Sequence, residues 1–367
     1  MAARPRGRAC AARAPPCTTL TLVSRSLSVL PKAHLHLHFT GSMRFTTLVE
    51  LADSHGMRLP RALTEHWPPP LTESSDSRGW FRFQRLYDAA RGCVRSEGDM
   101  RRIVREAAVD DAAEGSGWLE LQIDPTSYGP HVGGLTAALE IVLDEAEAVS
   151  RVLRTGVGII VAASRIRHPL DARTLARLAA RHAGDGPGKV VGFGLSNDER
   201  RGDTEEFGPA FRIARNAGLA LMPHGGELLG ADAVAATLDH LRPDRIGHGV
   251  RSVEDPAVLH RVVAQQVALE VCPGSNVALG VYPNPSAVPL RRLVAAGAKV
   301  TLAADDPLLF GSRLVDQYEI ARRVHGFDDA ELADLARSSI ESSRAPQELG
   351  ARLLRGVDDW LASPDPN

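Results

Sequence analysis

The sequence predicts an α/β fold of the (β/α)8 TIM-barrel type, and three observations support this prediction. Eight short apolar runs with strand-like composition recur along the chain. Most of them are separated by segments with helical spacing, which is typical of a parallel sheet whose strands are joined by crossover helices. Polar residues suited to catalysis end several of these runs, and the active sites of such barrels lie at the carboxyl ends of the strands.

The predicted strands and helices alternate in a regular order. In chain order, the strands are expected at Ala33–His38, Trp118–Ile123, Val157–Ala162, Val190–Leu195, Leu219–Pro223, Arg245–Gly247, Val267–Cys272 and Lys299–Ala303. From the second strand onward, the helices between them are expected at Thr136–Ala148, Ala172–His182, Gly208–Ala217, Ala231–Leu241, Pro256–Gln265 and Pro289–Ala296. Eight such units in one domain indicate a barrel.

The interval between the first two predicted strands is longer than one crossover needs. Residues 45–110 contain Trp67-Pro-Pro-Pro70, a Ser/Asp-rich turn and an amphipathic segment over 78–92. We interpret this interval as a helical lid insertion over the barrel mouth. The single barrel domain is predicted to span residues 30–362, with helices between Asp306 and Ala362 and a polar tail at 363–367.

The amino-terminal segment differs in composition from the rest of the chain. Residues 1–29 are rich in Arg, Ala, Ser and Pro and contain no acidic residue. This composition resembles a transit peptide but lacks the apolar stretch of a secretory signal. We predict a disordered extension or a start codon assigned too early.

Composition excludes several classes of function. The chain has 367 residues, 44% of them hydrophobic and 24% charged, and a formal net charge of -2. The sequence has no excess of basic residues of the kind that binds nucleic acid. It also has no run of about 20 apolar residues that could span a bilayer. Four cysteines without a C-x-x-C pair favour a reducing compartment, so we expect a cytoplasmic protein. Nothing in the sequence indicates an oligomeric state.

The candidate chemistry begins with His36 and His38 in the first predicted strand. Residues two apart in a strand point to the same face, so the two imidazoles converge. By itself the pair is equally compatible with two metal ligands and with two hydrogen-bonded core residues.

A second candidate is the segment His224-Gly-Gly-Glu227 after the fifth predicted strand. It lets one side chain reach a metal while an acid approaches the bound ligand from the side. The alternative for Glu227 is an ordinary carboxylate at the start of a helix. His248 lies between two glycines, which permit close backbone approach, and its alternative is a surface-loop histidine.

Asp305 and Asp306 place two carboxylates side by side at the end of the last predicted strand. Their repulsion is relieved if a cation or a proton is bound between them. Helix N-capping before Pro307 is the alternative. Each candidate has its own structural alternative, and all of these alternatives would have to hold at once on one face of one barrel. We therefore prefer a common explanation and predict a hydrolase with one zinc ion per chain. The turn after the fourth strand offers no lysine to bridge a second metal.

With these residues in place, the chain resembles the adenosine deaminase family of metal-dependent hydrolases from about Leu30 to Leu361. The matching motifs are Pro31-Lys-Ala-His-Leu-His-Leu-His-Phe-Thr-Gly-Ser42, His224-Gly-Gly-Glu227, Ile246-Gly-His-Gly249, Cys272-Pro-x-Ser-Asn276 and Asp305-Asp-Pro-Leu-Leu-Phe310. The zinc deaminases with H-x-E and P-C-x-x-C motifs are not what the sequence resembles.

The resemblance implies a role for each candidate residue. The zinc ligands would be His36, His38, His224 and Asp305. His248 would orient the attacking water or take its proton, Glu227 would protonate purine N1, and Asp306 would hydrogen-bond N7. Attack at C6 would then release ammonia and leave a 6-oxo purine.

The chain departs from the family pattern at three places. Thr40 stands where most members have an Asp that contacts the sugar 5′-hydroxyl, and His34 replaces a Glu before the histidine pair. The neutral hydroxyl of Thr40 would bind the sugar hydroxyl less strongly than a carboxylate does, so adenosine would bind about fivefold to tenfold less well than with an Asp at this position. Gly194 and Asn197 replace an Asp and a Gly in the turn that offers a backbone N–H to N3. Asn tolerates left-handed backbone, so we expect Asn197 to keep this contact.

The leading hypothesis from sequence is zinc-dependent deamination of adenosine or 2′-deoxyadenosine to the inosine counterpart, with a small purine nucleoside as the partner. The alternatives within the family are a 6-aminopurine nucleoside with a modified 5′ end, such as aminodeoxyfutalosine, and free adenine. A zinc lactonase or phosphoesterase on the same barrel is the alternative from another enzyme class. A non-catalytic nucleoside-binding protein is the third class, and it is disfavoured because no acid, base or ligand is missing.

Overall fold

A computed structural model of the chain describes residues 25–71 and 77–363. The predicted extension falls mainly on residues 1–24, which lie outside the described residues, as do 364–367 of the predicted tail. Within the described part, Leu27 is buried, and the Arg25 guanidinium donates hydrogen bonds to the carbonyl oxygens of Leu361 and Ser363 at 3.1 and 2.9 Å. Residues just before the predicted domain start therefore contact its carboxyl end. The domain boundaries themselves stay a prediction.

Eight parallel strands form the centre of the molecule, in the order β1 to β8. They are β1 (Lys32–His38), β2 (Ser116–Ile123), β3 (Gly156–Ser164), β4 (Val190–Ser196), β5 (Ala220–Gly225), β6 (Arg245–His248), β7 (Ala268–Val271) and β8 (Val300–Leu302). The first and last strands meet just beyond β8, where the amide of His38 donates to the carbonyl of Asp305 and the amide of Asp305 donates to that of His36, both at 3.0 Å. The (β/α)8 barrel prediction is confirmed, and every predicted strand overlaps an observed one.

Helices surround the barrel. The α-helices are α1 (Phe45–Ser54), α2 (Arg61–Thr64), α3 (Ser77–Gly92), α4 (Glu97–Ala113), α5 (Gly129–Val132), α6 (Leu135–Val152), α7 (Pro169–Arg181), α8 (Gly208–Asn216), α9 (Ala231–Leu241), α10 (Pro256–Ala264), α11 (Pro273–Ala278), α12 (Leu290–Ala295), α13 (Pro307–Phe310), α14 (Leu314–Arg323), α15 (Asp329–Glu341) and α16 (Gln347–Ala362). Short 3-10 helices lie at Pro125–Ser127, Thr204–Phe207, Val250–Glu254 and Pro285–Ala287. Among the described residues, no helix combines the length and apolarity needed to cross a membrane.

The interval predicted as a lid contains four helices, α1 to α4, and two of them lie in different places: α4 is beside the barrel and α3 is at its mouth. In α4, Ser96 and Asp99 form a reciprocal capping box at the amino end, and the buried face packs on β2 and α6. This helix is therefore part of the layer around the barrel. The predicted amphipathic segment is α3, and its side chains line the cavity at the barrel mouth. A lid movement of this segment stays a prediction.

His34 has a structural role. Its Nδ1 lies 2.8 Å from the Asp111 carboxylate of α4, and its Nε2 accepts the amide hydrogen of Ala304 at 3.0 Å. Both ring nitrogens are therefore satisfied inside the protein, as expected of a core histidine. The bond to Ala304 holds the end of β8 against β1, one residue before Asp305.

Candidate active site

The site is built on the junction of β1 and β8. His36 and His38 project from β1, and Asp305 follows β8 where the two strands meet. The Nε2 atoms of His36 and His38 lie 3.6 and 3.3 Å from Oδ1 of Asp305. The strand pairing therefore brings together two imidazoles and one carboxylate from opposite ends of the chain.

His224 and His248, near the ends of β5 and β6, complete the cluster. The Nε2 atoms of His38 and His224 are 3.2 Å apart, and the ring centroids of His36 and His248 are 4.9 Å apart. Ligand atoms of His36, His224 and His248 lie within 4.8 Å of one another, as do those of His36, His38 and Asp305. The five residues predicted to hold or adjoin the metal are thus brought to one place.

This cluster has the chemistry of a metal site. Nε2 of His36 is buried with no hydrogen-bond partner among the described residues. Burial lowers the pKa of His38 to about 4 and that of His224 well below its ordinary value, so both imidazoles are neutral, the form that binds metal. Imidazole nitrogens with one carboxylate oxygen suit zinc. The thiol of Cys272 also lies within 4.8 Å of ligand atoms of His248 and Asp305.

A buried ionic network orients His36 from below. Its Nδ1 lies 2.8 Å from Oε2 of Glu270, and Oε1 of Glu270 accepts a hydrogen bond from Nε of Arg245 at 2.6 Å. The same guanidinium pairs with Glu120, and both carboxylates are fully buried. A carboxylate on the distal nitrogen of a ligand histidine fixes the tautomer and the ring orientation. Nε2 of His36 is therefore directed into the cluster.

Glu227 lies in the turn between β5 and α9. Its Oε2 is 3.6 Å from Nε2 of His248. Burial raises the pKa of Glu227 well above its ordinary value, and the nearby Asp305 and Glu199 carboxylates add to the shift. The residue precedes the α9 N-cap, Gly230, and points into the cavity, so it is not an ordinary helix-start carboxylate.

The turn that carries Glu227 is held by one buried carboxylate. Glu199 accepts the backbone N–H groups of residues 226 to 229, with distances of 2.5, 3.1, 2.8 and 2.9 Å in chain order. Several amides converging on one carboxylate form a charge-assisted set of hydrogen bonds. Glu199 therefore fixes the backbone from which Glu227 projects.

Asp306 stands at the N-cap position of α13, but its side chain makes no capping hydrogen bond. The N-capping alternative is therefore wrong. Its Oδ1 is buried without a partner among the described residues. Burial, together with the adjacent Asp305 charge, raises the pKa of Asp306 well above its ordinary value. Gly41 makes room for it, because a Cβ on Gly41 would lie 1.7 Å from Asp306 Oδ1.

Three residues of the cavity have left-handed backbone although they are not glycine. The φ angles are 80° at Asn197, 66° at His248 and 65° at Asp305. Such conformations are costly for L-residues and cluster at functional sites. The left-handed geometry expected of Asn197 is present, and the surface-loop alternative for His248 is wrong because the residue is 1% exposed.

Thr40 does not directly line the cavity within the described residues, whereas its partner Tyr128 does. The two hydroxyl oxygens are 2.5 Å apart, and Thr40 is fully buried. A direct substrate contact of Thr40 stays a prediction. The structure instead gives Thr40 a hydrogen bond that positions Tyr128.

One cavity joins these groups. Its wall on the α3 side is largely aromatic, and the residues around it include Trp80, Phe83, Tyr87, Gln122, Asp124, Tyr128, Ser164, Asn197 and Leu279 besides the candidate ligands and acids. Sequence reasoning missed Glu199, Glu270, Arg245 and Gln122. The available signal for Gln122 and Glu270 was a polar residue inside an otherwise apolar strand.

Known proteins are similar to this chain over most of its length. The family model described as adenosine deaminase matches residues 31–360. The chain is 62% identical to a putative adenosine/adenine deaminase of Streptomyces coelicolor, with 92% of this chain and 99% of the relative covered. It is 37% identical to an adenine deaminase of Sinorhizobium medicae, with 89% and 98% covered.

The fold agrees as well. The crystal structure of an adenine deaminase from Arthrobacter aurescens superposes with a TM-score of 0.82 at 31% identity, with 91% of this chain and 99% of that chain covered. The family model covers most of the chain, and relatives 62% and 37% identical to it are covered over nearly their whole length. The chain therefore belongs to the adenosine deaminase family and is a hydrolase that deaminates a purine.

Proposed function

We propose that this enzyme deaminates free adenine to hypoxanthine and ammonia. The observation that carries the proposal is the Thr40–Tyr128 hydroxyl pair, which stands where the family resemblance implies a carboxylate for the sugar. The relatives named adenine deaminase support the same choice. This reverses the order of the hypotheses from sequence, in which adenosine came first and adenine was an alternative.

The proposed chemistry uses the groups around the cavity. Glu227, held uncharged by burial, donates its proton to purine N1, so that the ring accepts electrons at C6. His248 orients the attacking water and takes its proton. Asp306, also protonated, donates a hydrogen bond to N7. The backbone N–H of Asn197 binds N3. The protonated His248 then gives its proton to the C6 amino group, the C6 hydroxyl returns a proton to Glu227, and collapse of the tetrahedral carbon expels ammonia.

The metal residues would be those predicted from sequence. His36, His38, His224 and Asp305 would hold one zinc ion, which would supply the Lewis acidity that makes water a nucleophile near neutral pH. Burial lowers the pKa of His248 to about 3, which keeps its imidazole neutral before the reaction begins. We also retain the prediction that the enzyme works in the cytoplasm.

The experiment is ammonia release by the zinc-loaded protein on adenine, adenosine and aminodeoxyfutalosine under identical conditions. We expect adenine to have the highest kcat/KM. Glu227→Gln should abolish release, and dialysis against a chelator should remove activity that zinc restores. A higher kcat/KM for either nucleoside would contradict adenine as the substrate. Hydrolysis of a lactone or phosphoester at full rate by Glu227→Gln would favour the ester hydrolase instead.

Adenosine is the second candidate, because the Streptomyces coelicolor relative is named for both adenosine and adenine. The same assay tests it. Comparable kcat/KM values for adenine and adenosine would indicate an enzyme of dual specificity.

A further inference from the structure

A second polar region faces the cavity from β2 and β3. Gln122 on β2 is 1% exposed, and Ser164 ends β3. Neither the nitrogen nor the oxygen of the Gln122 carboxamide has a hydrogen-bond partner among the described residues, and the Ser164 hydroxyl also has none. A buried carboxamide without partners costs free energy, so native proteins rarely keep one without a function.

The barrel register fixes where Gln122 lies. It pairs with His38 on β1 and with Ile160 on β3. It also alternates with Glu120, whose carboxylate meets Arg245 inside the barrel, so Gln122 lies one step closer to the mouth on the same inward face. The carboxamide is therefore in the row of the candidate metal ligand His38.

The acid and base come from the other side of the barrel. Glu227 and His248 belong to the ends of β5 and β6, which lie across an eight-stranded barrel from β1 and β2. A purine with C6 at the histidine cluster and N1 at Glu227 directs the opposite end of its bicyclic ring toward β2. That end carries N9.

Two other polar residues on this side, Asp124 and Tyr128, already have partners. The Asp124 carboxylate accepts the backbone N–H and the hydroxyl of Thr126 at 3.0 and 2.6 Å. The Tyr128 hydroxyl is bonded to Thr40. The carboxamide of Gln122 offers both an acceptor and donors, and none of them is used within the described residues.

We propose that Gln122 is a specificity-determining residue whose Oε1 accepts the N9–H of a free 6-aminopurine base. The inference rests on the proposed function. A free base carries a hydrogen on N9, whereas a nucleoside carries the sugar carbon there and has no hydrogen to donate. Gln122 therefore favours the base over its N9-substituted forms, and the carboxamide gains the partner that it lacks without substrate.

The first test compares adenine with 9-methyladenine, which differs only at N9, and with adenosine. Gln122→Met keeps the length of the side chain and removes the acceptor. We expect kcat/KM for adenine to fall roughly tenfold or more, because the N9–H is left unpaired, and the value for 9-methyladenine to change little. An equal fall for both substrates, or a larger fall for adenosine, would overturn the inference, and the latter would indicate a sugar contact.

The second test measures the melting temperature without substrate and with hypoxanthine. Gln122→Met should melt higher than the natural protein because it removes an unsatisfied buried amide, and hypoxanthine should stabilise it less. The matched control is Gln317→Met, since the buried Gln317 amide bonds to Gly274, Ser312 and Arg313 at 2.6 to 3.0 Å. That variant should melt lower. If Gln122→Met also melts lower and keeps the full hypoxanthine shift, Gln122 is structural.

The two proposals fail separately. If the natural protein deaminates adenosine but not adenine, the proposed function is wrong. If it prefers adenine and Gln122→Met keeps that preference in full, only the role of Gln122 is wrong.

Discussion

Nδ1 of His36 and Oε2 of Glu270, 234 residues apart in the chain, are joined by a 2.8 Å contact inside the barrel. Glu270 also holds Arg245, so the charge beneath the candidate metal ligand is balanced by a cation. A buried pair of this kind is not by itself evidence of stability, because desolvation offsets much of its attraction. Because Glu270 contacts Nδ1 of His36, we infer that the pair orients this imidazole.

The role of Glu270 is tested by Glu270→Gln, which keeps the shape of the side chain and removes its charge. We expect zinc affinity to fall about tenfold, as for other outer partners of ligand histidines. A competition titration with a chromophoric chelator measures it. The matched control is Glu120→Gln, which loses its ion pair with the same Arg245 but does not contact His36. Equal loss of zinc affinity in both variants would contradict a specific role of Glu270.

The role of Glu199 is tested by Glu199→Gln. The carboxylate of Glu199 accepts hydrogen bonds from backbone N–H groups, whereas the amide nitrogen of Gln is itself a donor. One side of the new side chain would therefore repel these N–H groups, and the turn at residues 226–229 should shift. We expect kcat to fall tenfold or more, because Glu227 projects from this turn, while zinc affinity is retained. Steady-state kinetics on metal-quantified protein separate the two effects. Asp198→Asn, next to Glu199 but bonded to Arg200, should lose much less kcat. A similar loss there would indicate a general disturbance of the loop.

The specificity prediction from sequence is tested by Thr40→Asp. A carboxylate at this position should strengthen adenosine binding about fivefold to tenfold relative to adenine, because a charged hydrogen bond to a hydroxyl exceeds a neutral one. The ratio of kcat/KM values for the two substrates measures the change. Thr40→Asn is the uncharged control and should leave the ratio near that of the natural enzyme. The prediction would be wrong if the ratio did not move in Thr40→Asp, or moved equally in both.

The close approach at Gly41 gives a steric prediction. In Gly41→Ala the new Cβ would overlap the Asp306 carboxyl and displace it. We expect deaminase activity to fall a hundredfold or more while circular dichroism still reports a folded barrel. Gly350→Ala in α16 is the control, since its nearest contact lies at 3.9 Å and alanine stabilises a helix by about 0.5–1 kcal/mol. Full activity in Gly41→Ala would show that Asp306 need not occupy its observed position.

The sequence by itself determined the barrel, its strands and the polar residues at the strand ends. These are local properties, because strand–helix alternation and a histidine at a strand end can be recognised within a few residues. The resemblance then assigned roles to His36, His224 and Glu227 without reference to distance. The choice of adenine over adenosine as the proposed substrate used the tertiary structure as well. The Thr40 hydroxyl is hydrogen-bonded to Tyr128, 88 residues away, and this contact cannot be read from the sequence.

Only the tertiary structure decided which buried groups support the site. Glu270 and Glu199 have no local motif, because their partners lie on other strands and loops and are brought near by the closure of the barrel. Gln122 is singled out because its carboxamide has no hydrogen-bond partner in the part of the chain that the structure describes, which can be seen only once its neighbours in space are known. The physical reason is that hydrogen bonds and ion pairs act over a few ångströms, and distances of that kind between remote residues are set by the fold.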